Sequence, residues 1–104
     1  MALTRAFKET VQARVQRDPA FRVALLVEAT QCLLDGDLDT GKTILRDYIN
    51  STGGFEKLSQ KAKVPSKSLM RMLSPKGNPT ASNLLGVIAK LQIRDKVHLQ
   101  VKAA

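Results

Sequence analysis

Several residue types are scarce in this 104-residue chain, and each scarcity removes a class of answer. Cys32 is the only cysteine, so no intrachain disulfide can form and a reducing cytoplasm is the expected setting. With one cysteine and one histidine, His98, a zinc site has no ligand set. The aromatics are Phe7, Phe21, Phe55 and Tyr48, and tryptophan is absent. Leu, Ile, Val and Ala must then fill the interior, which suits helix packed on helix. No apolar run approaches the ~20 residues of a membrane span. The stretch MALTRAFKETV lacks the apolar core of a signal peptide, so a cytoplasmic protein with no membrane partner is expected.

Acidic residues are also scarce, but only in one half. Residues 1–54 hold seven basic and seven acidic groups, which cancel. Residues 55–104 hold ten basic groups against Glu56 and Asp95, so the net +8 lies entirely there. A confined basic field is what a polyanion-binding surface needs, although a solvated basic face has the same composition.

Apolar periodicity marks out the elements. Phe7, Val11 and Val15 recur at helical spacing between Thr4 and Arg17. Asp18-Pro19 supplies an N-cap and a first-turn proline for a second helix, from about Pro19 to Leu34, which Gly36 ends. Its main stripe is Phe21, Ala24, Leu25, Ala29, Cys32 and Leu33, widened by Leu26, Val27 and Leu34. So wide a stripe predicts packing on the rest of the domain or contact with a partner. A third helix is expected from near Asp39 or Thr40 to Asn50, with Ile44, Leu45, Tyr48 and Ile49 on one face. Ser51-Thr52-Gly53-Gly54 then breaks the chain.

Residues 55–93 form two short helices joined by a tight turn, a loop, and a longer apolar helix, the order in which a helix-turn-helix reader of DNA is built. Phe55, Leu58 and Ala62 share one face of the first. Lys63-Val64-Pro65 makes the turn, with Val64 plugging the angle between the helices. Over Ser66–Ser74, a 100° step clusters Leu69, Met72 and Leu73 on one side. Lys67, Met70, Arg71 and Ser74 fall opposite, with Ser66 at the exposed end. Lys and Arg donate to guanine O6 and N7, and Met or Ser reaches a thymine methyl or a base edge. Ser66, Lys67, Met70, Arg71 and Ser74 are therefore the candidate base contacts. Lys57, Lys76, Asn78 and Thr80 are the candidate phosphate contacts, the last three lying where a turn-rich loop meets a helix N-terminus. From Thr80 to Gln92, Leu84, Ile88 and Leu91 form a stripe that Leu85, Val87 and Ala89 widen. That excess predicts either a dimer interface or a dock for the N-terminal helices. Residues 97–101 alternate apolar and polar residues, the period of a short strand that pairs with a partner chain, with a symmetry mate, or not at all.

Phe55–Ile93 resembles an Xre-type, lambda-repressor-like helix-turn-helix, through Leu58-Ser59, Val64, Leu69, Arg71-Met72, Gly77-Asn78-Pro79 and Leu84-Leu85. The fuller chain is similar to the addiction-module antidote proteins, a HigA-like antitoxin group, in LRDYIN (45–50), GFE (54–56), KSLMRML (67–73), PKGNPT (75–80) and FKETV (7–11). The resemblance implies a homodimer that binds double-stranded DNA, its own operator, as an inverted repeat, and a complex with a RelE-like toxin. It also implies that Ser66, Lys67 and Arg71 meet bases. Two positions depart from the pattern: Gly54-Phe55 stands where Gln or Thr often contacts phosphate, and Lys63 stands where the turn often has glycine.

Two tempting motifs fail on context. Residues 36–43 satisfy G-x-x-x-x-G-K-[ST], but a helix rather than a strand feeds them, and Asp37 and Asp39 would repel a nucleotide. Asp35, Asp37 and Asp39 begin like a calcium loop, yet Thr40 replaces its glycine and Arg46 its bidentate glutamate. Lys42 and these aspartates read instead as capping and solvent-facing groups. No nucleophile–base pair is arguable, so neither catalysis nor a cofactor is expected. The expected fold is all-α: a five- or six-helix lambda-repressor-like helix-turn-helix domain, with a short C-terminal β-strand as an option. Residues 1–38 form an N-terminal helical segment and residues 39–104 the DNA-binding domain. The rival is a helical protein-interaction module that does not bind DNA.

Overall fold

The computed structural model describes residues 5–104, with side chains from Thr10 onward. Thr4 and the side chain of Phe7, both assigned above to the first helix, lie outside the described residues. Six helices follow in order: α1 (Arg5–Arg17), α2 (Pro19–Leu34), α3 (Leu38–Ser51), α4 (Gly54–Ala62), α5 (Ser66–Met72) and α6 (Ala81–Asp95). The fold is all-α, and no strand occurs among the described residues.

Local chemistry explains the boundaries. Asp18 accepts the Phe21 N–H at 3.2 Å, with Pro19 in the first turn, so α2 starts where an orphan donor meets a carboxylate. Arg14 ties this corner from α1, its guanidinium 4.5 Å above the Phe21 ring and 3.6 Å from Asp18. Asp37 caps α3 by accepting the Thr40 N–H at 3.2 Å, two residues ahead of the expected start. Gly53 and Gly54, at φ 112° and 82°, take the left-handed conformations that turn the chain from α3 into α4.

The core gathers around α3. Leu45, Tyr48 and Ile49 are fully buried against Leu26 and Ala29 of α2, Phe55 and Leu58 of α4, Leu69 and Leu73 at α5, and Val87, Ile88 and Leu91 of α6. Residues from both sides of the expected boundary at 38/39 thus share one core. α2 and α1 pack on α3, whereas α6 packs on α4. The buried residues of α2 are Leu26 and Ala29, while Ala24, Val27 and Leu34 of the expected apolar face are exposed. The cause is that α2 is apolar nearly all round, so periodicity alone does not choose its inner side.

Residues 97–101 form neither helix nor ladder within the chain, so the optional strand has no pairing here. Lys96 closes α6 at φ 56°, the Val97 N–H returns to the Gln92 carbonyl at 2.9 Å, and the Leu99 N–H donates to Gln92 Oε1 at 2.8 Å. Leu99 packs against the core while Val101 stays 84% exposed. No described helix is long and apolar enough to cross a membrane.

Candidate nucleic-acid interface

The back of α5 is anchored and its front is open. Leu69 and Leu73 are buried and Met72 is half-buried against the core. Lys67, Met70 and Arg71 are exposed on the opposite side, and none of the described residues buries them. The turn behind α5 is closed by Lys63, which takes the left-handed conformation (φ 57°) and donates its N–H to the Ser59 carbonyl at 2.8 Å. Ser59 Oγ also donates to the Val64 carbonyl at 2.6 Å, holding the plug residue half-buried. Pro65 occupies the cap position rather than the first helical turn, and its carbonyl accepts from Ser68 and Leu69.

The other end of α5 is tied by two cations of α3. Lys42 is 2% exposed, and its Nζ donates to the carbonyls of Gly77 (2.6 Å), Ser74 (2.9 Å) and Pro75 (3.4 Å). Arg46 Nη1 donates to the Leu73 carbonyl at 3.3 Å. Both sit at a helix C-terminus, where unpaired carbonyls favour positive charge. The expectation of a solvent-facing Lys42 is corrected: it is a buried capping group. It lies three residues before Leu45 and seven before Ile49, on the apolar face of α3, and that register is the signal that could have found it. Gly77 closes the same corner, since a Cβ there would come within 2.2 Å of the Arg71 carbonyl oxygen and 2.6 Å of that of Met72.

The expected site residues divide. Arg71, Ser74, Lys76, Asn78 and Thr80 line one open cleft of about 730 Å³ between α5 and the start of α6. Lys67, Met70 and Ser66 lie on α5 outside it, and Lys57 sits apart on α4, its stem against Gly53. Two of the five expected base contacts, both serines, are engaged in hydrogen bonds within the chain. Ser66 Oγ donates to Glu56 Oε1 at 2.9 Å, and Ser74 Oγ donates back to the Arg71 carbonyl at 2.7 Å, the usual local alternative for a serine at a helix end. Arg71 and Lys67 are then the exposed charged donors of the α5 face, and Met70, 51% exposed, is its apolar centre. Thr80 Oγ1 accepts the Asn83 N–H at 3.1 Å, capping α6. Lys90 and Asn83 also line the cleft. Lys90 escaped sequence reading because its place beside Arg71 and Lys76 depends on how α6 crosses α5.

The aspartates of residues 35–39 are engaged locally: Asp37 in the α3 cap, and Asp35 accepting from Gln31 Nε2 at 2.9 Å. Asp39 is exposed, 3.9 Å from Lys42 Nζ. Away from the interface, buried Tyr48 donates its hydroxyl to the Asp95 carboxylate, which also pairs with Arg94 at 3.0 Å. Burial first, then that hydrogen bond and the Asp95 charge, push the Tyr48 phenol up. Cys32 is half-buried, and desolvation, with the carboxylates of Glu28, Asp37 and Asp35, raises its thiol pKa. Compared with known proteins, the chain matches no family model, no curated protein and no solved structure.

Proposed function

We propose that this chain is a DNA-binding transcriptional repressor of the cytoplasm, reading its own operator as a homodimer and serving as the antitoxin of a toxin–antitoxin module. The observation that carries the DNA part is the setting of α5. Lys67 and Arg71 stand exposed on a helix whose opposite side is buried, in the half of the chain that holds all the net charge. Such a face suits entry into a major groove, with Arg71 aimed at a guanine edge and Lys76, Asn78, Thr80 and Lys90 beside it for the flanking phosphates. The antitoxin part, with a RelE-like toxin as partner, is supported by the sequence phrases at residues 7–11, 45–50, 54–56, 67–73 and 75–80.

Arg71→Ala is the direct test. Selection of operator fragments from a random duplex pool, followed by anisotropy titration, should show affinity lowered by about 1–3 kcal/mol and base preference relaxed at one position of each half-site. Lys76→Ala should instead weaken all sequences alike. Affinity and preference untouched by Arg71→Ala would favour the interaction-module reading, for which the exposed Met70 at the centre of the face is the supporting feature.

A further inference from the structure

We propose that Lys42 is a positioning residue for a phosphate group. From beneath the loop after α5 it draws peptide carbonyls inward, which turns the main-chain N–H groups of Lys76 and Asn78 out toward the cleft. The inference rests on the reading of Lys76, Asn78 and Thr80 as phosphate contacts, and it names the group that arranges them.

The ammonium is saturated by the loop. A lysine carries three N–H donors, and Lys42 Nζ meets three carbonyls, those of Gly77, Ser74 and Pro75, at 2.6, 2.9 and 3.4 Å. Asp39 lies 3.9 Å away with its side chain 91% exposed, so the short contacts of the ammonium are all to the loop. In a planar trans peptide, the carbonyl and the N–H that follows it point to opposite sides. The described peptides are all trans. With the Pro75 carbonyl turned to Lys42, the Lys76 N–H points away from it, and the Gly77 carbonyl does the same for Asn78. The Ser74 carbonyl exposes no donor in return, because Pro75 has no N–H.

Neither the Lys76 N–H nor the Asn78 N–H meets an acceptor among the described residues, whereas the Gly77 N–H between them donates to the Ser74 carbonyl at 3.0 Å. Both residues are exposed and line the cleft with Arg71 and Lys90, and no carboxylate lines it with them. Outward amides of neighbouring residues make a concavity that suits an anion. Remove the ammonium and the arrangement loses its cause. Gly77 leaves the backbone free to turn, and a carbonyl stripped of its donor is better satisfied by water. That rotation carries the N–H inward. The lysine of a phosphate-cradling loop meets the anion itself, whereas the lysine of residues 36–43 acts here from behind, through the main chain.

The test titrates the full, isotope-labelled chain with inorganic phosphate at constant ionic strength, followed by amide NMR. In the wild type the Lys76 and Asn78 signals should move together and saturate. In Lys42→Met, measured where circular dichroism shows it folded, the apparent dissociation constant at these amides should rise at least about tenfold, as loss of a charge-assisted contact does. Lys42→Gln, which keeps a donor for one carbonyl, gives the same reading if the methionine variant does not fold. Leu26→Ala, a core change on α2, should melt earlier yet titrate as the wild type, which separates positioning from stability. Amides that answer phosphate as well in a folded Lys42 variant as in the wild type, or that stay silent in the wild type, overturn the proposal. Anisotropy on random-sequence duplex DNA tells this result from the DNA reading. A phosphate response without salt-sensitive duplex binding upholds the positioning and sinks the DNA reading. Duplex binding with both amides silent toward phosphate sinks the positioning alone.

Discussion

Lys42 shows how one side chain can serve an interface it never touches. Its ammonium, held away from water, satisfies carbonyls of the loop that ends α5, so α5 is fixed to α3 at that end. Lys42→Met keeps the stem and removes the charge, stranding the carbonyls of Ser74 and Gly77. Stability should fall by about 3 kcal/mol, seen as a lower urea midpoint with an unchanged m-value. Tyr48 gives a second residue-scale expectation. Its raised pKa means that the folded chain keeps a phenolic proton which the unfolded chain releases above the ordinary value of 10.0. The stabilisation is complete below that pH. Above it, stability should fall by about 1.4 kcal/mol per pH unit, and urea titrations of Tyr48→Phe should lack that part of the slope.

At the scale of elements, the turn between α4 and α5 tolerates an unfavourable residue. Glycine is the residue best suited to a left-handed helix end, yet Lys63 adopts that conformation at φ 57° and the turn still closes through its N–H to Ser59. Lys63, where the resemblance expects glycine, therefore closes the turn at an energetic cost. Lys63→Gly should remove the Cβ–carbonyl crowding and raise stability by about 1 kcal/mol, measured as a higher denaturation midpoint. Other helix boundaries were legible where local chemistry sets them, with Asp18 and Thr80 as N-caps and Gly53-Gly54 as a breaker, whereas α3 starts ahead of the expected Asp39 or Thr40 because Asp37 caps it. The inner side of α2 was not legible, since a helix with apolar residues on most of its circumference does not say which of them its neighbours will cover.

Over the whole molecule, charge and packing are divided differently. One core joins residues from α2 to α6, while the net positive charge belongs only to residues 55–104. If Lys57, Lys67, Arg71, Lys76 and Lys90 all meet phosphate or groove, a log–log plot of duplex affinity against salt should have a slope of about −4.5 per protomer. Lys90→Ala should make it shallower by about 1. Substituting Arg14 or Arg22 in the neutral half should leave the slope alone. A flat salt response in the wild type would turn attention to the interaction-module reading.

Capping and 3.6-residue periodicity act between near neighbours, so the six helices, the Asp18 and Thr80 caps and the outward placement of Lys67 and Arg71 could be read along the chain. So could the confinement of the charge. The burial of Lys42 under the end of α5, the place of Lys90 in the cleft and the exposure of Leu85 and Ile93 emerge only once the helices are packed. Those outcomes depend on how α3, α5 and α6 cross, and crossing is set by contacts between residues far apart in the chain.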